Sequence, residues 1–443
     1  LQGAALAPIA RMPANAGLAG ATDWRGTLEL ERDADPKQPA RGTVRLSSDL
    51  RGLASALPEP FAKTAEAARP LALSATFGGV NSPRIEGSLG RDVRALLQLH
   101  GSSGATPLER GIVTFGGATP DALPANAGLW LTGRLEAASL TKILDLQWSG
   151  PRARPLQDWL AGADLSVARF GALGYTFDDV SGRLRPGNRA WEVSVAGDAI
   201  AGRVVVPFSF PGEVPMVLDL DRLRIGARAA GSVERPDLDP RKLPAIRVDV
   251  RDLVFDARSF GHVQAELARG TAGMTLNRFT MKHPAFTAEG RGSWLVRGDA
   301  AESRLDFDVA TSDVKGFMAA MQLGSQVEAE KGHMSARLTW PGVPEARAIE
   351  RISGSLEISA DNGELTAVEP GAGRVLLTRD RQGVTPGVFR LVGLEGGEHH
   401  RQPAGHQEQE NDLEHAAAGL VLAEVPVKTP FCRPCWIRAA RAR

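Results

Sequence analysis

Apolar and polar residues alternate along much of this chain with a period of two. In Leu305-Asp306-Phe307-Asp308-Val309 the apolar side chains fall on one side and the two carboxylates on the other. That is the arrangement of a strand with one dry and one wet face. Met334, Ala336, Leu338 and Trp340 alternate with Ser335, Arg337 and Thr339 in the same way, and Leu356 and Ile358 with Glu357 and Ser359. The pattern recurs upstream. Leu28 and Leu30 stand between Thr27, Glu29 and Glu31, and Leu71, Leu73, Ala75 and Phe77 alternate with small residues. Leu129 and Leu131 follow, then Trp191, Val193 and Val195. Turn residues punctuate these runs roughly every ten positions, the spacing of all-β folds. Asn362-Gly363 supplies a hairpin turn.

Two strand ends share a further similarity. Ser48-Asp49-Leu50-Arg51-Gly52-Leu53 aligns with Ser312-Asp313-Val314-Lys315-Gly316-Phe317. A unit that recurs at this distance points to an elongated, repetitive β architecture. Asp313 is placed to cap a helix from Val314 to Leu323 that ends at Gly324. Pro155 to Leu160 reads as one more short turn. Strands do not alternate with helices, which excludes a parallel α/β sheet. The expected fold is mainly β: a long twisted antiparallel sheet from Trp24 to Leu365 with few short helices. Its one-sided apolar faces either close on one another as a sandwich core or line an open groove.

Composition narrows the chemistry. Of 443 residues, 43% are apolar, enough for a core, and the formal net charge is zero, so no global basic field recruits nucleic acid. The two cysteines, Cys432 and Cys435, sit near the end of the chain. Together with His399, His400, His406 and His415 they offer zinc only an adventitious site in a polar segment. Gly371-Ala372-Gly373-Arg374 begins like a dinucleotide fingerprint but lacks the third glycine and a surrounding βαβ unit. Asp306 and Asp308 share the wet face of one strand, where solvated charge explains them better than a glycosidase pair, and Asp178 and Asp179 project to opposite faces. Catalytic, cofactor and metal sites are therefore all expected to be absent, and no run of about 18 apolar residues spans a bilayer.

The order of several short stretches adds a resemblance. They are Ala127-Gly128-Leu129-Trp130-Leu131-Thr132-Gly133-Arg134-Leu135, Pro215 to Leu223, Leu253 to Gly261, Ala288 to Trp294, Leu338 to Gly342, and Asn362 to Arg374. From about Gly128 to Arg374 the chain resembles the C-terminal half of AsmA-like proteins of the YhdP type, and residues 1–127 resemble it more loosely. The resemblance implies a non-enzymatic protein that moves phospholipid between inner and outer membrane through an open apolar β-groove and so supports the outer-membrane barrier. It also implies a periplasmic body held in the inner membrane by an N-terminal helix that this chain lacks. The groove candidates are Leu305, Phe307, Val309, Leu338, Trp340, Leu356 and Ile358. The competing reading is a scaffold or adhesin-like β-protein with a closed core. The expected divisions are residues 1–127, 128–376 and 377–443. In the last of these the alternation stops, and it reads as a frame-shifted, disordered tail.

Overall fold

The computed structural model describes residues 17–31, 41–78, 82–100, 108–144, 155–172, 174–209, 212–226, 239–298, 300–323, 327–343, 352–361, 364–365, 376–377 and 387–392. Apart from two short two-stranded ladders, Ala19–Gly20 with Leu53–Ala54 and Val327–Glu328 with Glu364–Leu365, their strands form one long sheet. Its first six strands are β1 (Arg25–Glu31), β2 (Arg41–Ser48), β3 (Leu71–Gly78), β4 (Arg84–Leu89), β5 (Val93–Leu99) and β6 (Leu108–Phe115). Next come β7 (Gly128–Ser139), β8 (Leu160–Ala172), β9 (Tyr175–Pro186), β10 (Ala190–Ala196), β11 (Ile200–Pro207) and β12 (Met216–Ile225). The third set is β13 (Ile246–Phe255), β14 (Arg258–Arg269), β15 (Gly273–His283), β16 (Phe286–Arg297), β17 (Ala300–Thr311), β18 (Lys331–Pro341) and β19 (Ser353–Asp361). From β1 to β19 each strand pairs with its neighbours in the chain, so spatial order is chain order over these nineteen strands.

The ladder is open. Among the described residues β1 pairs with β2 alone. At the far end Gly387–Val392 pairs with β19, and Leu376–Leu377 pairs with Gly387–Val392. Among the described residues these two ends are not bonded to each other, and no barrel closes. Gly387–Val392 lies inside the stretch expected to be a disordered tail, and six of its residues continue the ladder. The cysteines, the tail histidines and Gly371 to Arg374 lie outside the described residues.

Most pairs are antiparallel, as the alternation with tight turns requires. Gly187 N–H donates to Ala190 O at 2.8 Å between β9 and β10. Asp256 and Ala257, both at positive φ, turn β13 into β14. Three pairs are parallel instead: β6 with β7, β7 with β8, and β12 with β13. Parallel neighbours cannot be joined by a two-residue turn. The connections there are correspondingly long and carry α1 (Leu140–Leu144) and two 3-10 turns, Leu156–Asp158 and Pro240–Lys242. The sheet is thus mixed where the sequence pointed to antiparallel pairing alone.

The second helix, α2, runs over Val314–Ala320, shorter than its expected reach to Leu323. Asp313 caps it by accepting from Gly316 N–H at 2.8 Å. Its partner segment at Ser48 behaves differently. Ser48 Oγ accepts from Leu50 N–H at 3.0 Å, and Leu50 then takes a positive φ, so the chain turns without forming a helix.

Candidate functional site

Residues directly opposite one another in neighbouring strands lie on the same face of a sheet. One such row can be followed across all nineteen strands. It begins Gly26, Leu46, Leu73, Gly87, Ala95, Val113 on β1 to β6. It continues Leu131, Ala163, Leu184, Val193, Val204, Leu218 on β7 to β12. It ends Val248, Ala265, Phe279, Gly290, Phe307, Ala336, Leu356 on β13 to β19. No member is polar. The row is unbroken through all three parallel pairs, so the long connections there preserve the facing of the stripe.

A second row, two residues along each strand, runs beside it. From β11 to β16 it reads Gly202, Leu220, Val250, Val263, Met281, Ala288, and it ends in Val309, Met334 and Ile358. The row one residue over, on the opposite face, is polar from β8 to β19. It includes Asp164, Arg183, Ser194, Arg203, Asp219 and Asp249, and later Glu289, Asp308, Ser335 and Glu357. Nineteen strands at about 4.8 Å give the stripe a length of roughly 85 Å.

The polar face is held by exposed ion pairs. Arg183 meets Asp164 at 3.1 Å, and Arg251 bridges Asp219 at 3.0 Å and Asp221 at 2.8 Å. Asp249 accepts from Gln264 at 2.7 Å and pairs with His262 at 2.7 Å; the Gln264 bond, more than His262, holds its carboxyl below the usual range. Such pairs contribute little stability each, about 0–1 kcal/mol. Asp306 stands between Arg291 and Arg337 at 3.7 and 3.8 Å, which accounts for this carboxylate without chemistry. Asp179 takes a positive φ and pairs with Arg134. Among the described residues no group of three or more His, Cys, Asp or Glu is arranged to hold a metal ion.

The seven groove candidates share the apolar face. Leu305 lies opposite Leu338, and Ser303 opposite Trp340. Phe307 and Leu356 flank Ala336, while Val309 and Ile358 flank Met334. Their exposure divides them. Phe307, Val309, Leu338 and Trp340 are buried among their neighbours, Leu305 and Leu356 are half-buried, and Ile358 keeps 39% of its surface. Helix α2 walls one side of the stripe here. Phe317 sets its ring edge against Phe286 at 5.2 Å, Met321 is buried, and Arg258 Nε donates to Met321 O at 3.1 Å. On the other side stand Trp294, Trp340 and the buried Met274, with Ser303 Oγ donating to Gly342 O at 2.8 Å.

The stripe is most open at the other end of the sheet. Leu28 is 58% and Leu30 67% exposed, and Leu46 and Phe77 are exposed too. These four and the central row from Leu131 to Val248 were not among the candidates. Their signal is present in each strand as alternation, but only the register joins them into one surface.

His283 marks the helix-walled side. Its ring stacks on Phe286 at 4.9 Å, and its Nδ1 accepts from Ala285 N–H at 3.1 Å. Burial pushes its pKa below the ordinary 6.5. The folded state therefore takes up a proton less readily than the unfolded chain. This contribution to stability is complete above pH 6.5 and is lost as the pH falls below it. His283→Gln is expected to narrow the difference in melting temperature between about pH 7 and pH 5. An unchanged difference in a thermal unfolding series would show that His283 does not carry it.

No helix among the described residues is long and apolar enough to cross a membrane. Residues 1–378 match the family described as YhdP protein. No curated protein and no solved structure matches the chain.

Proposed function

The chain belongs to the YhdP family, and from that premise we propose that its apolar stripe carries phospholipid acyl chains across the periplasm, between the inner and outer membranes. The observation that carries this reading is the unbroken apolar row across nineteen strands, flanked from β8 to β19 by a polar row on the opposite face. Exposing an acyl chain to water costs about 0.8 kcal/mol per methylene, so one of ~15 methylenes costs on the order of 12 kcal/mol. A continuous apolar surface lowers that cost at every step along the sheet. It also holds no charged group that would fix the lipid at one place. The closed-core alternative fits less well, because the ladder does not close on itself and Leu28, Leu30, Leu46 and Phe77 stay exposed.

The test is site-specific photo-crosslinking in cells. Probes at Leu305, Leu356 and Ile358, which keep accessible surface on the stripe, are expected to capture phospholipid. Probes at Asp306 and Glu357, on the other face, are expected to capture at least tenfold less. Equal labelling of both faces, or none on either, would defeat the lipid reading.

A further inference from the structure

The polar face of the first strands carries a trough that lipid carriage does not use. One row there reads Arg25, Ser47, Ala72, Ser88, Arg94 and Thr114 on β1 to β6. Small side chains fill its middle and arginines stand at both ends of that floor. The result is a shallow pocket of about 700 Å³. The adjoining row adds Arg45, Ser74 and Glu86, and Arg84 stands beside them. Among the charged groups lining the pocket, four guanidiniums face the single carboxylate of Glu86.

Local pairing does not account for all of this charge. Arg45 meets Glu29 at 2.6 Å and Arg84 meets Glu86 at 3.3 Å. Arg94 uses Nη1 on the carbonyls of Gly90 and Val93 at 3.1 and 2.8 Å, which anchors it without neutralising it. The rim is also fixed. The Thr114 hydroxyl donates to Ala118 O, and Gly117 N–H donates to Asp92 O at 3.2 Å, which holds Thr119 and Pro120 beside the trough. Elsewhere on this face, carboxylates stand in comparable number beside the arginines, as with Asp164, Arg183, Arg203 and Asp219. Here they do not, and a merely solvated face gives no reason for the difference.

We propose that this trough binds a phosphate-bearing ligand with two or more negative charges. Guanidinium forks match phosphate oxygens two at a time, and the serine hydroxyls supply further donors along the floor. Arg25 and Arg94 stand four strand spacings apart, about 19 Å at the backbone, so the site suits a ligand with more than one anionic group. A soluble polyphosphate and an anionic lipid headgroup present the same chemistry.

The test is calorimetric titration of the full chain with pyrophosphate at low ionic strength. Saturable binding that weakens with added salt is expected. Arg25→Gln with Arg94→Gln should weaken it at least tenfold, and the corresponding lysine pair, which keeps charge but loses the fork, should fall between. Arg291→Gln with Arg337→Gln, at the far end of the same face, should leave it unchanged. The lipid capture at Ile358 should be unchanged in both glutamine pairs, which separates this site from the stripe. Absence of saturable binding, or equal losses in the two glutamine pairs, would overturn the proposal. A competition arm identifies the source. Displacement of pyrophosphate by phosphatidylglycerol vesicles but not phosphatidylcholine vesicles supports a lipid headgroup, and displacement by neither supports a soluble phosphate compound.

Discussion

Leu220→Asp is expected to unfold the middle of the sheet. Leu220 keeps 1% of its surface and lies between Gly202 and the equally buried Val250 in the second apolar row. Removing a buried leucine side chain costs about 2–5 kcal/mol through lost burial and the cavity left behind. The new carboxylate adds the cost of a charge in an apolar surround with no cation beside it. Together these exceed about 4 kcal/mol, a large part of the 5–15 kcal/mol by which a folded domain is usually stable. Asp221→Asn, one residue along, loses only an exposed bond to Arg251 and should cost less than about 1 kcal/mol. Denaturant unfolding of the two variants should differ widely in midpoint. Hydrogen exchange in Leu220→Asp should quicken first in β11 to β13, because each strand depends on its neighbours. Midpoints within error of each other would show that the stripe is not packed as described.

Gly202→Ala is expected to be nearly as damaging, for a backbone reason. Gly202 has φ +136°, and an added Cβ would lie 2.5 Å from Asp219 O and 2.6 Å from Leu220 Cα. No real side chain tolerates those contacts, so β11 and β12 would have to part where the register already shifts between Ala201 and Gly202. Backbone strain of this kind costs about 1–3 kcal/mol, before the broken pairing is counted. Gly182 occupies the same row two strands earlier, and an added Cβ there meets nothing within 4 Å. Gly182→Ala should therefore be neutral or stabilising by a few tenths of a kcal/mol, since alanine loses less freedom on folding. Thermal melts of the pair are the check, and similar losses in both would remove the steric argument.

Much of this was legible residue by residue. Leu305 to Val309 and Met334 to Trp340 alternate so strictly that their strands, and the facing of each side chain, follow from sequence. The helix cap at Asp313 was equally readable, because a carboxylate three residues before Gly316 needs no distant partner. What resisted reading depends on contacts between strands. The parallel pairs leave no local signal, since strand period is the same in either direction. Leu96 and its cross-strand partner Ile112 are apolar although their face is polar elsewhere, and Thr119 and Pro120 of the following connection lie near Leu96, a contact that no local pattern encodes. Among the groove candidates, the division into buried Phe307 and exposed Ile358 follows from α2 and from position near the end of the ladder, neither of which periodicity encodes.

The strictly sequential strand order makes the protein a ruler. Each strand from β2 to β19 finds a partner in the strand made just before it, so this part of the sheet can be assembled from one end as the chain emerges, without waiting for distant sequence. Each antiparallel hairpin adds two strands, about 10 Å of path, and leaves the facing of all the others unchanged. Excising β9 with β10, or duplicating them, should shorten or lengthen the molecule by that step while β8 and β11 meet in the same sense as before. The distance such a protein bridges can thus be set by counting hairpins, independently of the chemistry lining them.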